Sequence, residues 1–157
     1  MQAKVRFTVL NETTGELELL QAGDNIQEVD IMTLINGEAT SIIKGTPVYI
    51  SAAGTVKIAK GDAPSTSNTI GIVADPTIAS GVSGPVQSEG VITATTGEWD
   101  TVTGDSGGLV PGLTYWLSPS VAGRITKVAP STGYYQVIGI ALSTTDMQLS
   151  IGRRIKF

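Results

Sequence analysis

Gly104-Asp105-Ser106-Gly107-Gly108 places a serine in a tight, glycine-flanked turn, a setting in which a hydroxyl can be presented as a nucleophile. Such a hydroxyl is weak until a base takes its proton, and the usual base is histidine. The chain contains no histidine. A serine–lysine pair is conceivable with six lysines present, but it is built on other local sequences. The segment therefore reads as a turn in which glycine supplies positive φ and Asp105 caps the backbone. Glu98, Asp100 and Asp105 fall close together and could offer carboxylates to Ca²⁺, yet their spacing matches no EF-hand loop, and they read as solvated loop acids.

Cysteine is absent as well, which removes disulfides and thiolate chemistry. Zinc sites with histidine or cysteine ligands are excluded with them. No phosphate-binding loop, dinucleotide fingerprint or basic aromatic groove is present. The residues thus assign no catalytic, cofactor-binding or metal site, and the expectation is a non-enzymatic protein. A net charge of −4 disfavours non-specific nucleic-acid binding.

What remains is contact chemistry. Trp99 lies in the turn-rich stretch from Gly97 to Gly108, where a loop aromatic points to contact, with sugar stacking as the rival use. Trp116 sits beside Tyr115 in a predicted strand, which points to core or subunit packing. Tyr134 and Tyr135 are adjacent on another predicted strand, so one ring faces outward. Glu12, Glu16, Glu18, Asp24, Glu28 and Asp30 form an acidic stretch, whereas the chain ends Arg153-Arg154-Ile155-Lys156-Phe157. These ends are either solvated or complementary. Trp99, Tyr134, Arg153 and Arg154 are the candidate subunit or surface contacts.

The elements that must position these residues are strands. Valine and isoleucine number 30 against 10 leucines, and Gly, Ser and Thr make up about a third of the chain. β-Branched residues suit a pleated surface, and dense Gly, Ser and Thr mark frequent turns. The predicted class is all-β, a compact β-barrel or β-sandwich. One pattern is written twice, at 45–74 and 112–142. Gly45, Val48-Tyr49-Ile50-Ser51, Gly54-Thr55-Val56 and Ile70-Gly71-Ile72-Val73-Ala74 are matched by Gly112, Tyr115-Trp116-Leu117-Ser118, Gly123-Arg124-Ile125 and Ile138-Gly139-Ile140-Ala141-Leu142. The glycine within each Ile-Gly-Ile strand predicts a close backbone approach or a bulge.

Before this pseudo-repeat, Lys4 to Leu10 alternate strictly, with Val5, Phe7 and Val9 on one face and Lys4, Arg6 and Thr8 on the other. Glu16 to Leu19 alternate again, so residues 4–20 read as a hairpin or arm. The predicted division is an arm over 1–35 and a barrel or sandwich over 36–157. Residues 26–35 fit both helical and strand spacing and lean to strand or irregular structure. Residues 86–95 read as a strand pair or one strand kinked at Gly90, and Met147 to Ile151 as the closing strand. Met1-Gln2-Ala3-Lys4 is not followed by an apolar run of leader length, and no stretch reaches the roughly 18 apolar residues of a membrane helix.

Residues 90–151 resemble a recurrent module of tailed-phage virion proteins. The likeness is carried by Gly90-Val91-Ile92, Trp99-Asp100, Val102-Thr103-Gly104, Gly108-Leu109 and Pro111-Gly112. It continues through Thr114 to Ser118, Gly123 to Thr126, Val137 to Ser143 and Leu149-Ser150-Ile151. The first copy resembles the front half of the same module. The resemblance implies a capsid decoration (cement) protein, synthesised in the host cytoplasm and placed on the outer surface of the head. It implies a threefold assembly, the major capsid protein as partner, and no cofactor, nucleic acid or membrane. The candidate capsid-contact arm is Lys4, Val5, Arg6, Phe7 and Val9. The alternative within the resemblance is a head- or tail-fibre module that binds a host glycan, with Trp99 facing the sugar.

Overall fold

Short β-branched runs between glycine turns can bury one face each by curling into closed or nearly closed sheets. The computed structural model describes residues 29–157 and, before them, the backbone of two short strands. These are β1 (Thr8–Leu10) and β2 (Leu17–Leu19), paired antiparallel with Val9 opposite Glu18. The expected hairpin is present in backbone. Lys4, Val5, Arg6 and Phe7 lie outside the described residues.

The chain continues through β3 (Ile31–Asn36), β4 (Ile42–Ile43), β5 (Pro47–Ala52), β6 (Thr55–Ile58), β7 (Gly71–Val73), β8 (Thr77–Ile78) and β9 (Ser83–Gln87). Strands β3-β6-β5-β7-β9 form a closed barrel, with β4 and β8 paired beside it. The second half follows as β10 (Glu89–Thr93), α1 (Thr96–Thr103), β11 (Thr114–Leu117), β12 (Ile125–Thr126), β13 (Tyr134–Tyr135), β14 (Val137–Ala141), β15 (Asp146–Ser150) and β16 (Ile155–Lys156). Its sheet runs β10-β15-β14-β11-β12, and β13 pairs with β16. The fold is all-β with one short helix.

The pseudo-repeat is a duplication of strand order. Reading β3, β9, β7, β5, β6 in one half and β10, β15, β14, β11, β12 in the other gives the same neighbours with the same antiparallel senses. Registers coincide too. Val48 faces Gly71 as Tyr115 faces Gly139, and Ile72 faces Gln87 as Ile140 faces Gln148. Gly45 and Gly112 start the copies in the left-handed region, at φ 85° and 80°. Each donates its N–H across the sheet, to Val73 O and Ala141 O respectively.

The copies differ in closure. In the first, β3 runs on to meet β6 in parallel, Ile35 beside Thr55 and Asn36 beside Val56. The Asn36 side chain is buried there, donating to Ile78 O at 2.8 Å and Thr40 O at 2.9 Å. In the second, the chain leaves β10 for a helix. Thr95 and Glu98 form a reciprocal capping box, and Gly104 ends α1 in the left-handed conformation. No pairing joins β10 to β12, and α1 lies against β12 instead.

Two apolar clusters follow. Val48, Val56, Val73, Ile78, Val86 and Ile42 fill the first barrel. Tyr115, Leu117, Ile125, Met147, Trp99 and their neighbours fill the second half, and Ile72 and Ala59 of the first barrel join them. Residues 86–95 take the strand-pair form, β9 and β10 parting at Ser88 and belonging to different sheets. Two sequence expectations change. The boundary at 35/36 falls inside β3, a barrel strand. The last strand is β16, not Met147 to Ile151.

The Ile-Gly-Ile glycines are sites of close approach. A Cβ on Gly71 would lie 2.8 Å from Gln87 O, and one on Gly139 would collide with Gln148 O. Gly139→Val is expected to destabilise the fold by about 3 kcal/mol, the upper range of overpacking costs, as read by urea unfolding. Retention of wild-type stability would refute the close approach.

Candidate functional site

The glycine-flanked serine turn belongs to the end of α1. Gly104, Gly107 and Gly108 all have positive φ, as the turn reading requires. The backbone is held by Asp100, whose Oδ1 accepts from Gly108 N–H at 2.6 Å. Asp105, expected to cap the turn, instead pairs with Lys127 at 3.1 Å. Ser106 is exposed, with Lys127 already committed to Asp105.

The three candidate calcium acids are engaged separately. Glu98 accepts from Thr95 N–H at 2.7 Å, and this bond, with help from the Thr95 hydroxyl, holds its carboxyl below the ordinary range. Asp100 and Asp105 have the partners just named. Among the described residues, no three acidic side chains gather where they could hold a metal ion. A surface cleft of about 340 Å³ lies beside β12, lined by Ser118, Pro119, Val121, Arg124 and Thr132 among others. Arg124 is its one charged wall residue, so the cleft offers no acid–base pair.

Trp99 corrects the sequence expectation most sharply. It is not a loop aromatic at a surface but a helical residue with 0% exposure, and its Nε1 donates to Thr145 O at 2.8 Å. A residue buried this deeply cannot contact a subunit or stack on a sugar. The cue was present in the sequence: Thr95 and Glu98 stand three apart, as a capping box requires. Thr-rich, Gly-containing α1 hides its helix otherwise, because three threonines and a glycine are poor helix formers. Burial of Trp99 and Val102 supplies what propensity lacks.

The other contact candidates gather at the C-terminal strand pair. Arg154 lies over the Tyr134 ring at 5.3 Å and donates to Pro64 O. Tyr135 packs between Trp116 and Phe157, with ring centroids 6.1 and 6.0 Å away. Both tyrosines are therefore half-buried, and neither ring stands free. Arg153 is exposed. Of the acidic stretch, Asp30 accepts from Ser88 Oγ at 3.1 Å, Glu18 is described in backbone only, within β2, and the rest lies outside the described residues.

The feature that sequence reasoning missed is how the halves join. Gln87 reaches out of the first barrel and donates to Glu89 O and Val91 O at 2.9 and 3.1 Å, and Lys44 donates to Thr93 O. Acceptors of β10, which among the described residues has a strand neighbour on one side only, are thereby occupied. Buried Gln136 exchanges two bonds with the Thr69 backbone at 2.9 and 3.0 Å. Gly123 N–H donates to Ala59 O and Gly61 N–H to Ser118 O. Gly45 leaves room for α1, since a Cβ there would press on Trp99 and Val102 at 3.2 Å.

The turn between β14 and β15 is held by one acid. Asp146 accepts from Ser143 Oγ at 2.6 Å, from Thr93 Oγ1 at 2.6 Å and from Thr145 Oγ1, and these bonds hold its carboxyl below the ordinary range. A carboxyl lowered on folding adds stability above its unfolded value of about 3.9, and the gain is lost as pH falls through the folded value. Asp146→Asn is expected to be less stable than wild type at pH 7, with the difference shrinking below about pH 4 in thermal unfolding. A difference that stays constant with pH would contradict it. Comparison with protein-family models and with curated proteins finds no match to this chain.

Proposed function

We propose that this chain is a non-enzymatic structural protein of a tailed-phage virion that decorates the outer surface of the mature head. The observation that supports it most is the build: two copies of one strand order, fused through a shared core, behind an N-terminal hairpin. Such a body offers rigid surface and strand edge rather than reacting groups. The likeness of residues 90–151 to virion modules points the same way, and the first copy shares that strand order.

The mechanism is mass action. A protein that binds only the assembled, expanded shell stabilises that state against pressure from packaged DNA. Thr8–Leu10 is already paired with Leu17–Leu19, so a shell strand would add to the hairpin's outer edge, with backbone bonds giving affinity. The partners are the major capsid protein and further copies of this chain in a homotrimer. The glycan-binding fibre alternative loses the residue on which it stood, because Trp99 is buried.

Expanded heads lacking the protein are mixed with the full chain or with a chain lacking residues 1–15, then sedimented. The full chain is expected to bind saturably, at a fixed ratio to the major capsid protein, and to raise the heat resistance of the heads. The shortened chain is expected to stay folded and not to bind. Absence of binding by the full chain would overturn the capsid reading, and full binding by the shortened chain would overturn the role of the arm.

A further inference from the structure

The duplication gives each surface of one half a counterpart on the other. In the first half, the outer face around Ile72 is the internal interface. Ile72 is 0% exposed within the second-half core, and Ile43 and Ala74 pack against that core. Thr46 is buried on the same face. The counterparts follow from register and hydrogen bonding. Ile140 stands for Ile72 and Leu142 for Ala74, one residue beyond the shared Ala141–Val73 position. Val110 and Leu113 stand for Ile43 and Thr46, since Leu113 N–H donates to Val110 O as Thr46 N–H donates to Ile43 O.

All four counterparts are apolar, and all are exposed: Val110 40%, Leu113 40%, Ile140 43% and Leu142 55%. Two are larger than the residues they replace, leucine for threonine and leucine for alanine. Two further positions agree. Gln87 bridges to Glu89 and Val91 across the internal interface, whereas among the described residues its counterpart Gln148 donates only to the adjacent Leu149 O. Gly45 is covered by Trp99 and Val102, whereas Gly112 has nothing within 4 Å of its Cβ position.

We infer that the face formed by Val110, Leu113, Ile140, Leu142 and Gln148 docks a second copy of this chain. The occupant follows from the equivalent face, which is covered by a half of this same fold. The five residues of the face are uncharged, and the carboxylate of Asp146, on the same outer side of β15 as Gln148, is taken up by Ser143, Thr93 and Thr145. Four exposed apolar side chains on one face of a sheet are the mark of an interaction site rather than of a solvated one. The inference rests on the self-association in the proposed function and adds the face at which it occurs; binding to heads is scored separately, so the two can fail separately.

The test is sedimentation equilibrium of the full chain at about 1–100 μM, a range that resolves micromolar self-association. Wild type is expected to associate. Leu142→Glu and Ile140→Glu are expected to weaken association at least tenfold while keeping the wild-type circular dichroism spectrum. Val128→Glu, which places a charge at an exposed valine outside this face, is expected to leave it unchanged. Should either face variant misfold, Leu113→Gln, which keeps the face uncharged but polar, reads the same loss. A monomeric wild type across the range, or association unaffected by folded face variants, would overturn the inference.

Discussion

The second half of this protein cannot finish its own barrel, and everything else in the architecture answers that constraint. Its sheet ends at β10 on one side and β12 on the other, where the first half joins β3 to β6. An open ring of this size exposes edge carbonyls and an apolar interior together. The first barrel answers both needs. Gln87 and Lys44 bond to carbonyls of β10, Ala59 and Gly61 bond to the β12 side, and Ile72 enters the apolar cluster. α1 supplies Trp99 from within. A buried amide such as Gln136 is tolerable because its bonds to Thr69 and Gly152 satisfy it.

Much of this was legible in the sequence. The strand class followed from β-branched content, and the duplication followed from glycine turns and the paired Ile-Gly-Ile strands. Those glycines are fixed by geometry: a neighbouring carbonyl leaves no room for a Cβ at Gly71 or Gly139. α1 was hidden because its residues favour turns and its stability comes from burial of Trp99. The interface was hidden for a deeper reason. Ile72 and Ile140 are the same residue in the same register, one buried and one exposed. The Ile-Gly-Ile pattern is the same at the two sites, and only the assembled chain says which copy is covered.

This difference also connects architecture to function. A duplicated domain that uses one face internally presents the equivalent face outward, with apolar residues kept at the same positions. The C-terminal cluster of Trp116, Tyr135 and Phe157 and the face around Ile140 are then separate surfaces of the duplicated body. Under the proposed capsid role, repetition on a lattice would let many modest contacts of such a body act together without any one being tight.

Urea unfolding of Ile72→Ala and Ile140→Ala, at a concentration where both variants are monomeric, tests the shared core most directly. If the first barrel closes the second half, Ile72→Ala costs about 2–5 kcal/mol in a single cooperative transition, whereas Ile140→Ala costs under about 1 kcal/mol. Equal costs at the two positions, or a second half that unfolds separately with wild-type stability in Ile72→Ala, would contradict it.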